Sequence, residues 1–244
     1  MDAAINEALD VDASTVPDIS LDTTGLSVTE VVQHLREQIG AWPRIDRSAS
    51  VTPVVLPDTT GDILWLSGPT GVGKSTVGWE LFMRAWRDGR RAALIDLQQI
   101  GFLQPAGPGD PDNHGLKARN LAAMWATIRA DGADGLIVVG AVDDRDQLRE
   151  YTNALPASTL TLVLLQASRD QLAERIIRRW HGEGPRIPGD QLLRGDSAKL
   201  GRIADHAAIS AARIARAGFA DVVVDTDGLT VDEVIQAIQR QIGN

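Results

Sequence analysis

From position 62 onward, short apolar runs alternate with stretches whose apolar residues recur three or four positions apart. The runs are ILWLS at 63–67, AALID at 92–96, GLIVVGAV at 135–142, TLTLVLLQ at 159–166 and DVVVDT at 221–226. Nearly continuous apolarity marks strands covered on both faces, as in a parallel sheet between helical layers. Helical spacing falls at 74–88, 116–130, 144–153, 169–181, 197–217 and 230–242. The alternation predicts βαβ units and a three-layer α/β domain around a five-stranded parallel sheet.

Two segments break the pattern. LQPAGPGDPDNHG at 103–115 is dense in Pro, Gly and Asp, which excludes helix and central strand, and HGEGPRIPGD at 181–190 is punctuated in the same way. Loops of this length in a compact domain are candidate lids or binding loops.

The helical stripe also appears upstream, in a second copy. DTTGLSVTEVVQHLREQIG at 22–40 and DTDGLTVDEVIQAIQRQIG at 225–243 agree at 11 of 19 positions. Both carry a hydroxyl N-cap with Glu three residues on, Ser27 with Glu30 and Thr230 with Glu233, which is a capping box. Val28, Val31, Val32, Leu35 and Ile39 fall where Val231, Val234, Ile235, Ile238 and Ile242 stand. Each copy follows a short strand candidate, ISLDT or VVVDT. Residues 1–45 therefore read as an N-terminal helical appendage resembling the last strand and helix of a second unit. Residues 46–61 read as a linker and 62–244 as the main α/β domain, with the first 17 residues expected to be poorly ordered. An apolar stripe of this kind seeks a partner surface, so the N-terminal helix is a candidate homo-oligomer contact.

Composition narrows the class. The chain has 244 residues, no cysteine, and a net charge of −9. These exclude disulfides and cysteine zinc sites, fit a cytoplasmic protein, and argue against non-specific nucleic-acid binding. No apolar run is long enough to span a bilayer, so no membrane partner is expected. The four histidines, at 34, 114, 181 and 206, have no metal-ligand spacing, and His114 reads as a solvated loop residue. The charge reverses between 169 and 202, where eight basic residues face five acidic ones, a candidate anion site.

GPTGVGKST at 68–76 supplies the anion chemistry. It follows a strand, opens a helix, and matches the phosphate-loop pattern through Gly68, Gly73, Lys74 and Ser75. Backbone N–H groups of Thr70, Gly71, Val72, Gly73, Lys74, Ser75 and Thr76 can converge on phosphate oxygens at the positive helix end. Lys74 is the cation for the β and γ phosphates, and the Ser75 hydroxyl is a ligand for Mg²⁺. A nucleoside triphosphate with Mg²⁺ is thus the expected pair, ATP entering with the resemblance below. Asp96 closes the second strand at the edge where α/β ligands sit, beside the strand that leads to Lys74, and can accept a substrate proton. Asp143 and Asp144 follow the third strand only after Gly140, Ala141 and Val142, and read as helix-capping acids.

These motifs resemble the P-loop small-molecule and nucleotide kinases over about residues 62–243, closest in layout to the adenylylsulfate kinase and chloramphenicol phosphotransferase group. The resemblance implies a P-loop NTPase fold and γ-phosphoryl transfer from ATP to a hydroxyl of a small molecule such as a nucleoside, sugar or antibiotic-like metabolite. It places Asp96 on the catalytic acid and Arg119 and Asn120 on the acceptor contacts. SRDQLAERIIRRWHGEGPRIPGD resembles a lid, with Arg175, Arg178 and Arg179 facing phosphates, and Gly228 falls in the loop beside the adenine. Gln98 stands where that group has a second acid, and the 103–115 insertion is foreign to it. Trp125 and Trp180 permit a partly apolar acceptor. The competing class is an NTP-binding switch or assembly module with slow hydrolysis.

Overall fold

The structure, a computed structural model, describes residues 19–40, 59–182 and 197–243. The chain divides into two compact units, Met1–Val54 and Val55–Asn244. In the first, helix α1 (Val28–Ile39) opens on a capping box: Glu30 N–H donates to Ser27 Oγ, and Ser27 N–H donates to Glu30 Oε2 at 2.7 Å. The expected linker falls mostly outside the described residues, as do the first 18 positions and 183–196.

The second unit runs β1 (Gly61–Ser67), α2 (Lys74–Arg87), β2 (Ala92–Asp96), α3 (His114–Ala130), β3 (Gly135–Val139) and α4 (Arg145–Ala154). It continues with β4 (Ser158–Gln166), α5 (Arg169–Trp180), α6 (Ser197–Ala217), β5 (Val222–Asp225) and α7 (Val231–Ile242). All five strands are parallel, in the order β2-β3-β1-β4-β5. The strand reading holds, with β3 ending at Val139 rather than Val142. One expectation needs correction: β2 is not beside β1, because β3 pairs between them, matching Leu66 to Val139 and Val139 to Asp96. The Asp96 end of β2 therefore stands two strand spacings, about 10 Å, from the end of β1.

Each sheet face has its own core. On one, Leu66, Val139, Val163 and Leu165 meet Val77 of α2, Leu172 and Ile176 of α5, Ala204 of α6, and Ile235 and Ile238 of α7. On the other, Ile63, Trp65, Ile95, Val138 and Leu162 meet Leu121 and Trp125 of α3 and Tyr151 of α4. Burial on both faces explains why the strands read as unbroken apolar runs. Trp125 is fully buried and donates through Nε1 to Thr59 O at 3.1 Å, so it belongs to the core and not to an acceptor surface. Trp180, the last residue of α5, remains partly exposed against His181. No helix among the described residues is long and apolar enough to cross a membrane.

Leu165 is fully buried in the β4 segment that backs the phosphate loop. Leu165→Ala should cost about 2–5 kcal/mol of unfolding free energy. The check is a lower urea midpoint at unchanged slope.

Candidate active site

Residues 68–76 leave β1 and enter α2 as a backbone concavity. Gly68 has φ 141°, and a Cβ there would lie 2.3 Å from Leu165 O, so a side chain would drive the loop off β4. Gly73 caps α2 at φ 103°, left-handed backbone that a branched residue resists. Lys74 Nζ folds back to donate to Gly68 O at 2.8 Å and Pro69 O at 2.9 Å. Its ammonium is enclosed, although the residue as a whole is only partly buried. Burial lowers its pKa from 10.5 to about 8; Arg179 adds to the lowering, and Asp96 and Asp143 oppose it.

Across the sheet edge, Ser75 Oγ donates to Asp96 Oδ2 at 3.4 Å. The other oxygen, Oδ1, accepts Gln98 N–H at 2.9 Å. Asp96 thus closes a turn with one oxygen and faces Ser75 with the other. Gln98 contributes its backbone to that turn, at the position where the kinases it resembles carry a second acid.

Arg175 joins three segments. Its guanidinium donates to Val72 O at 3.2 Å, to Thr226 Oγ1 at 2.8 Å and to Thr226 O at 2.8 Å. Thr226 in turn donates to Gln166 O. The arginine therefore braces the phosphate loop against the ends of β4 and β5, in place of an open reach toward solvent. Arg179, one turn on, lies near enough to Lys74 to depress its pKa. Arg178 is exposed and 3.7 Å from Glu174, on the outer face of α5. Gly228 takes φ 68° in the turn before α7. Thr226 escaped the sequence reading, since a lone threonine after a strand has no distinguishing pattern.

On the β2 side, Asn120 Nδ2 donates to Ile100 O at 2.7 Å and ties α3 to the loop after β2, while Arg119 is exposed. Asp110 accepts the N–H groups of His114 and Gly115 at 2.6 and 2.9 Å and so starts α3 two residues earlier than its apolar spacing indicates. His114 is accordingly no solvated loop residue. It is half-buried, its Nδ1 is 2.8 Å from Tyr151 Oη, and burial lowers its pKa. Lys117, on the same helix face, lies with its stem against Gly101; burial lowers its pKa as well, against the pull of Asp112, Asp110 and Asp96.

Asp143 and Asp144 part company. Asp144 caps α4, accepting from Asp146 and Gln147 N–H as expected. Asp143 instead accepts Ser210 Oγ at 3.1 Å and pairs with Arg213, both on α6. Between α6 and the phosphate loop lies a cavity of about 350 Å³ lined by Pro69, Thr70, Asp143, Arg202, His206 and Ser210. Among the described residues no cluster of three or more His, Cys, Asp or Glu gathers as a metal cage. Ser75 and Asp96 are nonetheless hard oxygen donors side by side, the donor type Mg²⁺ takes when phosphate and water supply the rest.

No protein-family model matches the chain, and no curated protein matches it significantly. Among solved structures it is similar to a gluconokinase from Sinorhizobium meliloti 1021, with a TM-score of 0.50 and 18% identity over 75% of this chain and 91% of that one. It is also similar to an APS kinase from Mycobacterium tuberculosis solved with AMPPNP and APS, at TM-score 0.47 and 16% identity over 75% and 98% of the two chains. A shikimate kinase from Bacteroides thetaiotaomicron gives TM-score 0.47 and 19% identity over 75% and 98%. Likeness of this degree shows the fold alone: the body of the chain has the α/β fold of the gluconokinase.

Through the lowered Lys74 pKa, any phosphate anion held beside this ammonium is proton-linked. The free chain binds fewer protons at Lys74 than an ordinary lysine would between about pH 8 and 10.5. Phosphate anions in the loop favour the ammonium and raise that pKa. ATP binding at about pH 9 should therefore take up a proton, and at about pH 6.5 should not. Calorimetry in two buffers of different ionisation enthalpy reads the uptake, and Lys74→Met should remove it.

Proposed function

We propose that the chain is an ATP-dependent phosphotransferase that moves the γ-phosphoryl group to a hydroxyl of a small molecule: a nucleoside, a sugar or an antibiotic-like metabolite. The observation that carries this reading is Asp96 Oδ2 at 3.4 Å from Ser75 Oγ, a carboxylate set at the mouth of a phosphate loop beside Lys74. A carboxylate so placed suits a base for an acceptor hydroxyl.

In the step this implies, the acceptor hydroxyl gives its proton to Asp96 and its oxygen bonds to the γ-phosphorus. The bond from that phosphorus to the β-γ bridging oxygen breaks, and ADP leaves. Lys74 balances charge at the β and γ phosphates, and Arg179 is the arginine for the transferring oxygens. Arg175 keeps the loop in place through Val72. Mg²⁺, held by Ser75 with Asp96 beside it, would supply charge neutralisation on the phosphates.

The cavity between the phosphate loop and α6, about 350 Å³, is of small-molecule size, although Asp96 is not on its wall. Arg202 and His206 on its wall suit an acceptor with an anionic or strongly polar group. Arg119 and Asn120 remain candidates for acceptor contact, Asn120 with one donor already committed to Ile100. The switch reading finds less support: Asp143, the acid that follows β3, is already engaged by Arg213 and Ser210 on α6.

ADP formation over a panel of hydroxyl acceptors tests the proposal. One acceptor class should stimulate turnover, and mass spectrometry should find it heavier by one phosphoryl group. Turnover indifferent to every small molecule would sink the reading. Asp96→Asn should lower kcat by about 10²–10⁴-fold with ATP affinity little changed. Arg179→Ala should likewise reduce turnover far more than ATP affinity, and equal losses in both would show that the arginine only binds nucleotide.

A further inference from the structure

Residues 22–40 and 225–243 share local structure as well as sequence, while 19–22, expected as a strand, form none where 222–225 form β5. In each, an Asp carboxylate accepts the N–H two residues on: Asp22 from Thr24 at 2.9 Å, Asp225 from Asp227 at 3.0 Å. A Leu N–H then closes a turn on a Thr carbonyl, Leu26 on Thr23 and Leu229 on Thr226. Gly25 and Gly228 follow the same positive φ, 76° and 68°, and a capping box opens a 12-residue helix in both.

The copy also carries the packing residues. α7 fills its seat with buried Val234, Ile235 and Ile238, and the corresponding positions hold Val31, Val32 and Leu35. β5 alternates buried Val222, exposed Val223 and buried Val224; Ile19, Ser20 and Leu21 repeat that pattern. Thr23 stands where Thr226 holds Arg175. At three positions the copy is poorer. Thr24 replaces Asp227, which accepts Ser168 N–H at 2.9 Å. Thr29 replaces Asp232, which pairs with Arg84. His34 replaces Ala237, an alanine packed against the core.

The seat lies at the sheet margin, where β5 has four residues and pairs only with β4. A short edge strand and the helix after it open at lower cost than interior strands. We infer that residues 19–40 are a reserve strand–turn–helix unit that takes the place of β5 and α7 in a second copy of the chain. Every molecule carries one such unit for each seat, and trading equivalent elements between protomers is a low-cost route to association. The three poorer positions keep α7 in its seat at rest. Exchange follows when the hold of α7 weakens, and Thr23 then keeps Arg175, and through it the phosphate loop, in place.

The test uses the full chain. Ile238→Asp puts a carboxylate on the buried face of α7, and the resulting protein should stay folded, bind ATP and show a doubled mass by light scattering. Adding Leu35→Asp should return the mass to that of one chain and lower the melting temperature by more than the two single changes combined. Because the chain has no cysteine, single thiols are addressable. In the Ile238→Asp background, a Thr29→Cys chain mixed with an Arg84→Cys chain should be joined by a short bismaleimide. An Ile238→Asp chain that keeps single-chain mass, whether it unfolds or is rescued by its own N-terminal unit, overturns the inference. So does a doubled mass insensitive to Leu35→Asp, or the absence of a cross-chain adduct.

Discussion

Gly68 leaves β1 pressed against the carbonyl of Leu165 on the neighbouring strand, at a distance no side chain tolerates. That contact sets where the phosphate loop begins. From there Lys74 returns to the carbonyls of Gly68 and Pro69, closing the loop on itself, and α2 starts at once behind it. The helix packs Val77 into the core beside Leu66 and Val139, so the loop cannot shift without moving the sheet. A loop held this way keeps its shape without a bound anion, and such preorganisation is the general condition for strong electrostatic binding.

Other charges are ordered around the loop by what they are bonded to. Arg175 has its guanidinium filled by Val72 and Thr226 and serves as a brace, which leaves Arg179 as the α5 arginine that acts electrically on Lys74. Asp96 divides its oxygens between Gln98 N–H and Ser75. Asp143 is neutralised by Arg213 and fastens α6 to the end of β3. Of the acids at the end of β2 and after β3, Asp96 therefore faces Ser75 and Asp143 anchors a helix. That difference shapes the proposed chemistry more than the number of charges present.

Much of this was legible in the residues. The unbroken apolar runs at 63–67 and 159–166 announced buried parallel strands, and GPTGVGKST announced the loop with its place between strand and helix. Asp96 was legible as a candidate because strand ends in parallel sheets face ligands. His114 was not, since its partner Tyr151 lies 37 residues away and Asp110 starts the helix earlier than apolar spacing shows. The same holds for Trp125, whose partner Thr59 is 66 residues distant. The order of β2, β3 and β1 was equally hidden, because each strand is apolar on both faces and carries no mark of its neighbour.

By itself, the sequence determined the elements and the local devices: strand and helix periodicity, the glycines of the phosphate loop, and the two capping boxes with their shared apolar stripe. These depend on backbone sterics and on residues within about a turn of one another, so a short window contains the whole cause. Tertiary structure alone decided which charged groups meet. Asp143 goes to Arg213, Arg175 to Thr226, and Asp96 to Ser75, pairs separated by 70, 51 and 21 positions. Each side chain had several chemically equal partners along the chain. Strand order and helix packing brought one of them within hydrogen-bond reach, and distance then selected the pair.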